Sequence, residues 1–558
     1  MRDRLGDEFS CRRREWLLAS LHGAGVSLLG GCGKPAARFT GELLRPGFPL
    51  GHRMRASDFT IPATDKSGAN IRQVEVAIVG GGMAGLVAGW RLQRAGFTDF
   101  CLFEMESDTG GTSRSGESPV TAYPWGAHYV PLPNAENTGL LKLLREMGAI
   151  RWSENNTRPM AEESVACREP QERLFLRGNW IEGLYPHAVA SADDLAQWDR
   201  FRRYIHDWID WRDPDGRPAF TIPLRKCSEH PDVLRLDRLT AREWLQQQQL
   251  DSRPLQWLID YCCRDDYGLT LDQTSAWAAI FYFASRMTQS DEMEAPLLTW
   301  PAGNGEIVRH LTRSLGTCVE TGHALVRIQP GDVTRSRPAL LHVWDATRER
   351  MQTIQARQVI LATPQFLIPY VMPDIPEERR RAIKTFTYGA WVVANLHLSR
   401  RPASAGHPLS WDNVIYESDS LGYVVATHQV GSDYGPTVWT WYYPLCDVVP
   451  ARDRERLLSS TWEQWVEVVL RDLEPAHPDV RDCVQRIDIM QWGHAMIQPR
   501  PGFLWGDQRR LAAEPLSNIH FAGTDLSGMA LMEEAFHHGV RASEEVLRAR
   551  NLEFSSFL

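Results

Sequence analysis

The segment Val74–Gly116 constrains this chain more than any other stretch of its 558 residues. A short apolar run, Val74–Val79, has the character of a buried parallel strand. It leads without a break into Gly80-Gly81-Gly82-Met83-Ala84-Gly85, a complete G-x-G-x-x-G. Leu86–Ala95 then carries apolar residues at helical spacing, Gly96 closes that helix, and Phe100–Phe103 reads as a second strand ending at Glu104. Each part has a physical task. Gly80 permits the tight turn, Gly82 lets the backbone approach a pyrophosphate, and Gly85 lets helix and strand pack closely. The N–H groups of the helix start, at Met83 and Ala84, and the positive end of the helix dipole suit phosphate. Glu104 stands 19 residues beyond Gly85, where an acceptor for ribose hydroxyls belongs. Strand, glycine turn, helix, strand and acid together define an α/β, Rossmann-type dinucleotide-binding unit.

Which dinucleotide follows from two further motifs. After Glu104 comes Gly110-Gly111-Thr112-Ser113-Arg114-Ser115-Gly116, a glycine pair with a cation. Near the other end stands Ile519-His520-Phe521-Ala522-Gly523-Thr524-Asp525, followed by an expected helix from about Leu531 to Leu547. With these motifs the chain resembles the FAD-dependent amine oxidase superfamily, which includes monoamine and polyamine oxidases, phytoene desaturases and protoporphyrinogen oxidase. The resemblance implies non-covalent FAD. Gly110, Gly111 and Ser113 would line its phosphates, Arg114 would neutralise them, and Gly523 and Asp525 would meet the ribityl chain. It further implies that the Val326 backbone meets the adenine, that Thr363 ends a strand beside the cofactor, and that Gly126-Ala127-His128-Tyr129 lies along the flavin ring. Glu533 would begin the helix whose N-terminus points at the flavin. No second G-x-G-x-x-G is present, so no separate NAD(P) domain is expected.

The resemblance also implies a discontinuous FAD-binding domain with an inserted α+β substrate domain. The expected division is 1–32 leader, 33–73 tether, 74–135, 299–385 and 486–558 cofactor domain, and 136–298 and 386–485 substrate domain. Helical spacing marks Leu140–Met147, Ala196–Trp211, Ala241–Gln249 and Ser275–Ser285, and a longer helix is expected over Arg452–Leu473. Strand patterns mark Gly322–Ala362, Trp391–Leu398, Leu421–Thr427 and Thr437–Tyr443.

The start of the sequence carries a second message. Arg12-Arg13-Arg14-Glu15-Trp16-Leu17 resembles a twin-arginine export signal, with a mild apolar stretch to Gly31. Leu29-Gly30-Gly31-Cys32 resembles a bacterial lipobox with Cys32 as the lipidated residue, although lipoboxes more often carry alanine or serine at the Gly30 position. The expectation is an exported, extracytoplasmic protein that touches a membrane only through such an anchor. A net charge of −9 argues against nucleic acid as a partner and permits a cationic substrate. The cysteines show no metal or redox spacing, and His537-His538 point about 100° apart on a helix, so no metal site is expected.

The expected reaction is oxidation or dehydrogenation of a small organic substrate, an amine or polyamine being one candidate, with an electron acceptor that the sequence does not identify. In relatives of this kind hydride passes to flavin N5 while the protein orients the substrate and excludes water. Two departures from the family pattern stand out. The lysine expected to face N5 is replaced by Val393, and Leu531 and Glu534 replace an aromatic residue and a glycine near the flavin. A desaturase- or isomerase-like enzyme on an apolar substrate, or a flavin protein without turnover, are the alternatives. Candidates for chemistry are His128, Trp492 and His494, the histidines because imidazole titrates in the working range. Each has an ordinary structural reading too. Asp265-Asp266 and Asp291–Glu294 are acidic stretches that suit a solvated face or the attraction of an amine.

Overall fold

The computed structural model describes residues 40–55, 71–153, 158–286 and 296–558. The leader and lipobox fall outside the described residues, as do most of the tether and Asp291–Glu294. No helix among the described residues is long and apolar enough to cross a membrane.

Two sheets organise the fold from Gly41 to Leu558. The first has seven strands and is built on the unit read from the sequence. Ile71–Val79 lies between Phe100–Phe103 and Arg350–Leu361, and all three run parallel. Ile519–Phe521 adds to the far side of Arg350–Leu361 in register Val359↔Ile519 to Leu361↔Phe521. The meander His323–Gln329, Ala339–Asp345, Arg350–Leu361 supplies the antiparallel edge. Parallel strands covered on both faces need continuous apolar runs, and Val76 to Ile78 are fully buried.

Helix Met83–Arg94 packs against this sheet, and the last helix, Met532–Ala549, packs against Met83–Arg94. Their crossing is tight because Gly539 sits where a Cβ would lie 2.4 Å from the Ala84 carbonyl oxygen. Arg91 and Glu544, both almost fully buried, pair at 3.0 Å across the two helices. Glu544 also accepts from the Phe557 N–H, so the C-terminal tail is drawn into the same cluster. Removing one member of such a buried pair strands the other charge, at a cost of about 3–5 kcal/mol.

The second sheet has eight strands. At its centre Tyr388–Leu398 runs antiparallel to both Thr437–Leu445 and Val484–Ile497. The sequence placed a boundary after residue 485, but Val484–Ile497 is one continuous strand of this sheet, and the chain rejoins the cofactor sheet only at Ile519. Glu172–Leu176 and Asn179–Glu182 also join it, from a segment expected to be mostly helical. The long helix expected over Arg452–Leu473 is two helices, Pro450–Ser459 and Trp462–Leu473, because Thr461 and Gln464 form a capping box that starts a new one. Helix Arg253–Tyr267, which the apolar pattern did not reveal, starts from the Ser252 cap with Pro254 in its first turn and buries most of its length.

The segment expected as a tether is partly built into the fold. Leu43–Leu44 adds a parallel edge strand to Val484–Ile497, and Phe48–Arg55 is helical.

Candidate active site

Where the two sheets meet, a continuous cavity of about 650 Å³ runs from the glycine turn to the second sheet. Every residue that the sequence assigned to cofactor or chemistry lines it except Gly85. Gly85 is a packing glycine: a Cβ there would lie 1.8 Å from the Gly80 carbonyl oxygen. Gly80, at φ +106, needs the conformation that glycine alone adopts readily. Gly82 differs from both. Its backbone is extended, with φ −72, and a Cβ there would meet nothing within 4 Å. Nothing in the protein requires glycine at 82, whereas a pyrophosphate passing over the backbone does. No side chain caps the helix at Gly82, and its first turn holds no acidic residue. The helix start, with Met83 and Ala84, is thus left to an anion from outside the chain.

The acceptor end is equally formed. Glu104 takes the Gly81 N–H on one oxygen at 2.6 Å and the Glu106 N–H on the other at 2.8 Å, which fixes its carboxylate at the strand end. Burial raises its pKa, and the two backbone donors oppose that rise. Arg114 bonds the Asp108 carbonyl at 3.1 Å and lies 3.9 Å from Glu106, close to Gly110, Gly111 and Ser113. At Val326 the ladder with Ala339–Asp345 slips between Leu325 and Arg327. A bulge takes its extra residue out of the ladder, which frees the Val326 backbone for an adenine edge. Asp525 receives the Tyr388 hydroxyl at 2.6 Å and the Gln365 N–H at 2.7 Å on one oxygen, tying the ribityl region to the second sheet. Thr363 and Gly523 border the same stretch of the cavity.

Gly126 and Ala127 are held by the glycine loop and the turn after Trp300. Ala127 donates to Thr112 and accepts from the Asn304 N–H. The Asn304 side chain is fully buried with its Oδ1 unpartnered among the described residues, at the cavity wall. Open space over Gly82, an uncapped helix start, a bulge at Val326 and an orphaned amide oxygen at Asn304 all fit FAD.

At the second sheet the cavity changes character. Its walls carry Tyr129, Tyr261, Trp391, Tyr442 and Trp492, and among them stand Asp265, Asp412 and Glu533. Asp412 is pushed up to about 7 by burial, with Tyr261 donating to it weakly at 3.5 Å. Glu533 is pushed up to about 7 by burial as well. Burial raises Asp265 too, and the neighbouring charges of Asp266 and Asp412 add to the rise. Asp266 is held by Arg286 at 2.6 Å, and the Arg286 guanidinium lies 4.2 Å from the Tyr282 ring. Arg286 has this one carboxylate partner among the described salt bridges, which leaves more buried acid here than base. The solvated-face reading of Asp265-Asp266 is therefore overturned: helix Arg253–Tyr267 turns both residues inward. Asp412 had no signal in the sequence.

The expected catalytic residues sort differently. His128 stacks on Tyr442 at 4.8 Å and contacts the Gly126 carbonyl at 3.3 Å. Burial lowers its pKa to about 4, so it does not titrate in the working range as the sequence suggested. It is a neutral ring in the cavity wall. Trp492 donates its indole N–H to the Trp125 carbonyl at 2.8 Å, which orients its ring toward the cavity edge. His494 stacks on Phe366 at 4.2 Å beside Tyr388. Val393 occupies the cavity wall on strand Tyr388–Leu398, and Leu531 lines the cavity too. Glu534, expected close to the flavin, turns the other way: its carboxylate accepts the Leu224 N–H at 2.6 Å in a fully buried site outside the cavity.

A two-sheet fold around a phosphate cradle of this kind defines a flavin-dependent oxidoreductase. The model of the flavin-containing amine oxidoreductase family matches residues 83–547, and the chain belongs to that family. Among solved structures, the chain is similar to wild-type putrescine oxidase bound to putrescine, with a TM-score of 0.63 and 17% identity over 86% of this chain and 100% of that one. Cyclohexylamine oxidase from Brevibacterium oxydans IH-35A gives a TM-score of 0.60 at 16% identity over 86% of this chain and all of the other (100%). A fatty acid isomerase from P. acnes gives 0.58 at 16% over 85% and 98%. No curated protein matches the chain by sequence. The protein is an FAD-dependent enzyme of the amine oxidase type, and among the described residues no cysteine lines the cavity.

Proposed function

We propose that the enzyme oxidises a small cationic amine. The observation that carries this reading is the set of cavity-lining carboxylates, Asp265, Asp412 and Glu533, set among aromatic rings at the substrate end of the cavity. Desolvated carboxylates select a cation because an uncharged or anionic guest would leave them unpaired in a low dielectric. The rings add their negative faces to the attraction. Bound FAD supplies the acceptor for hydride from the carbon next to nitrogen. The chain's own work is to receive the ammonium at Asp265 and Asp412, one of which takes its N–H proton so that hydride leaves the neutral amine and an iminium product forms, to wall the reacting carbon with Tyr442, Trp391 and Trp492, and to exclude water. His128, held neutral, accepts or donates a hydrogen bond without competing as a cation. An apolar substrate suits Leu531 and Val393 but gives the carboxylates no partner, so the amine is the better reading.

The arginine pair and Cys32 support export by the twin-arginine route and lipid anchoring as further parts of this proposal. Anaerobic addition of monoamines, diamines and polyamines to the purified protein tests the chemistry. Bleaching of the oxidised flavin band by one of them is the expected result, and a band that stays oxidised with all of them defeats the proposal.

A further inference from the structure

The segment Gly41–Arg55 lies outside the stretch matched by the family model, yet Arg45, Pro46, Gly47, Phe48, His52 and Met54 line the cofactor cavity. It has one foot on each side of that cavity. On the second sheet, Leu43–Leu44 pairs with Ile489 and Met490, and the Ile489 N–H donates to Glu42 at 2.8 Å. Arg45 reaches Gln491, the neighbour of Trp492, at 2.6 Å. On the cofactor side, the Gly47 N–H donates to Glu106 at 2.6 Å. Glu106 is the residue whose own N–H fixes Glu104, the ribose acceptor, and it lies beside Arg114, the phosphate cation. Farther along, the Arg53 guanidinium sits 5.8 Å from the Trp344 ring of the meander.

We propose that Gly41–Arg55 is a clasp that forms part of the FAD site, retaining the nucleotide by closing the cavity between the two sheets. Its cavity-facing residues border the space that the nucleotide would fill, and its cofactor-side foot rests on Glu106, which donates to Glu104 and lies beside Arg114. Two elements that stabilise the same closed state stabilise each other. Docking of the clasp therefore slows FAD release, and FAD in turn holds the clasp down.

The feet can be loosened one at a time, Gly41 from outside the cavity lining and Gly47 from its rim. Gly41 is packed so that a Cβ would lie 1.7 Å from the Ile487 carbonyl oxygen, and Gly47 has φ +71 with Met105 Cε 3.0 Å from a Cβ. In the full-length protein, Gly41→Val and Gly47→Val are each expected to speed FAD release by about tenfold, read as recovery of flavin fluorescence on dilution. Release within about twofold of wild type in both variants overturns the clasp. Should either variant misfold, the wild-type protein decides. Cleavage by trypsin after Arg53 requires the helix to open locally. It is expected to be about tenfold slower with FAD than after FAD removal, the rest of the chain staying intact. Equal cleavage rates with and without FAD refute the proposal.

Discussion

The two ends of the cavity are built by opposite means. At the phosphate end the groups that meet the ligand belong to backbone: the helix start at Gly82, the bulge at Val326, the glycine loop before Ser113. At the substrate end they are side chains brought from separate elements: Asp265 from a helix, Asp412 from a short inner strand of the second sheet, Glu533 from the final helix, Trp492 from strand Val484–Ile497. Backbone recognition needs a local sequence, since only particular residues permit the turn. Side-chain recognition needs only that distant elements converge. The first kind of site is conspicuous in a sequence, and the second is not.

Substitutions at either end can break this contrast. The largest effect is expected at Gly82. Valine fits its extended backbone and open surroundings, so Gly82→Val should fold with an unchanged apo melting temperature. FAD affinity should nevertheless fall by at least about 100-fold, about 2.8 kcal/mol. Titration with FAD reads this, and retention of wild-type affinity would mean that the pyrophosphate does not cross Gly82.

Next comes the substrate end. Asp265→Asn and Asp412→Asn should each lower kcat/KM for the bleaching amine by about 30-fold, on the order of 2 kcal/mol, mostly through KM. Flavin content and spectrum should stay as in wild type. Loss of FAD in these variants would merge the two ends that the structure separates.

A pH profile sharpens the assignment. Asp412 ionises near 7. Below that pH it is protonated and offers no charge; above it the carboxylate attracts the cation. Within this limb kcat/KM should rise with pH by about tenfold per unit, and the limb should vanish in Asp412→Asn. His128, with a pKa lowered to about 4, should add no limb near neutrality. A limb near 7 surviving in Asp412→Asn would move the titrating role to Glu533, which ionises in the same range.

The smallest effect is expected at Glu534. Its carboxylate holds the Leu224 N–H, and a glutamine oxygen can still accept that bond. Glu534→Gln should cost about 1 kcal/mol of stability in thermal melts and leave the flavin spectrum unmoved. A shifted flavin band would place Glu534 back beside the ring.

The N-terminal segment shows the limit of compositional reading. Residues 33–70, with Pro35, Pro46, Pro49, Pro62 and Gly51, read as a tether, because such residues break regular structure. The glycines at 41 and 47 are instead fitting points, one pressed against a neighbouring strand and one in a left-handed turn. Only the partner surface distinguishes a loose glycine from a fitted one. The same holds for Asp265-Asp266, whose helix has its polar pair turned to a cavity rather than to solvent.

By itself the sequence determined the strand–turn–helix around Gly80–Gly85, the place of Glu104 at the end of the next strand and the late Gly523-Thr524-Asp525 element. Each is contiguous, and each is restricted by backbone sterics to a few residue types. The tertiary structure decided the rest: which acids are buried together, that His128 is neutral, that Glu534 faces away, and that residues 41–55 close over the cofactor cavity. Burial and proximity set the charge state of a carboxyl or imidazole, and both belong to the packing of segments hundreds of residues apart.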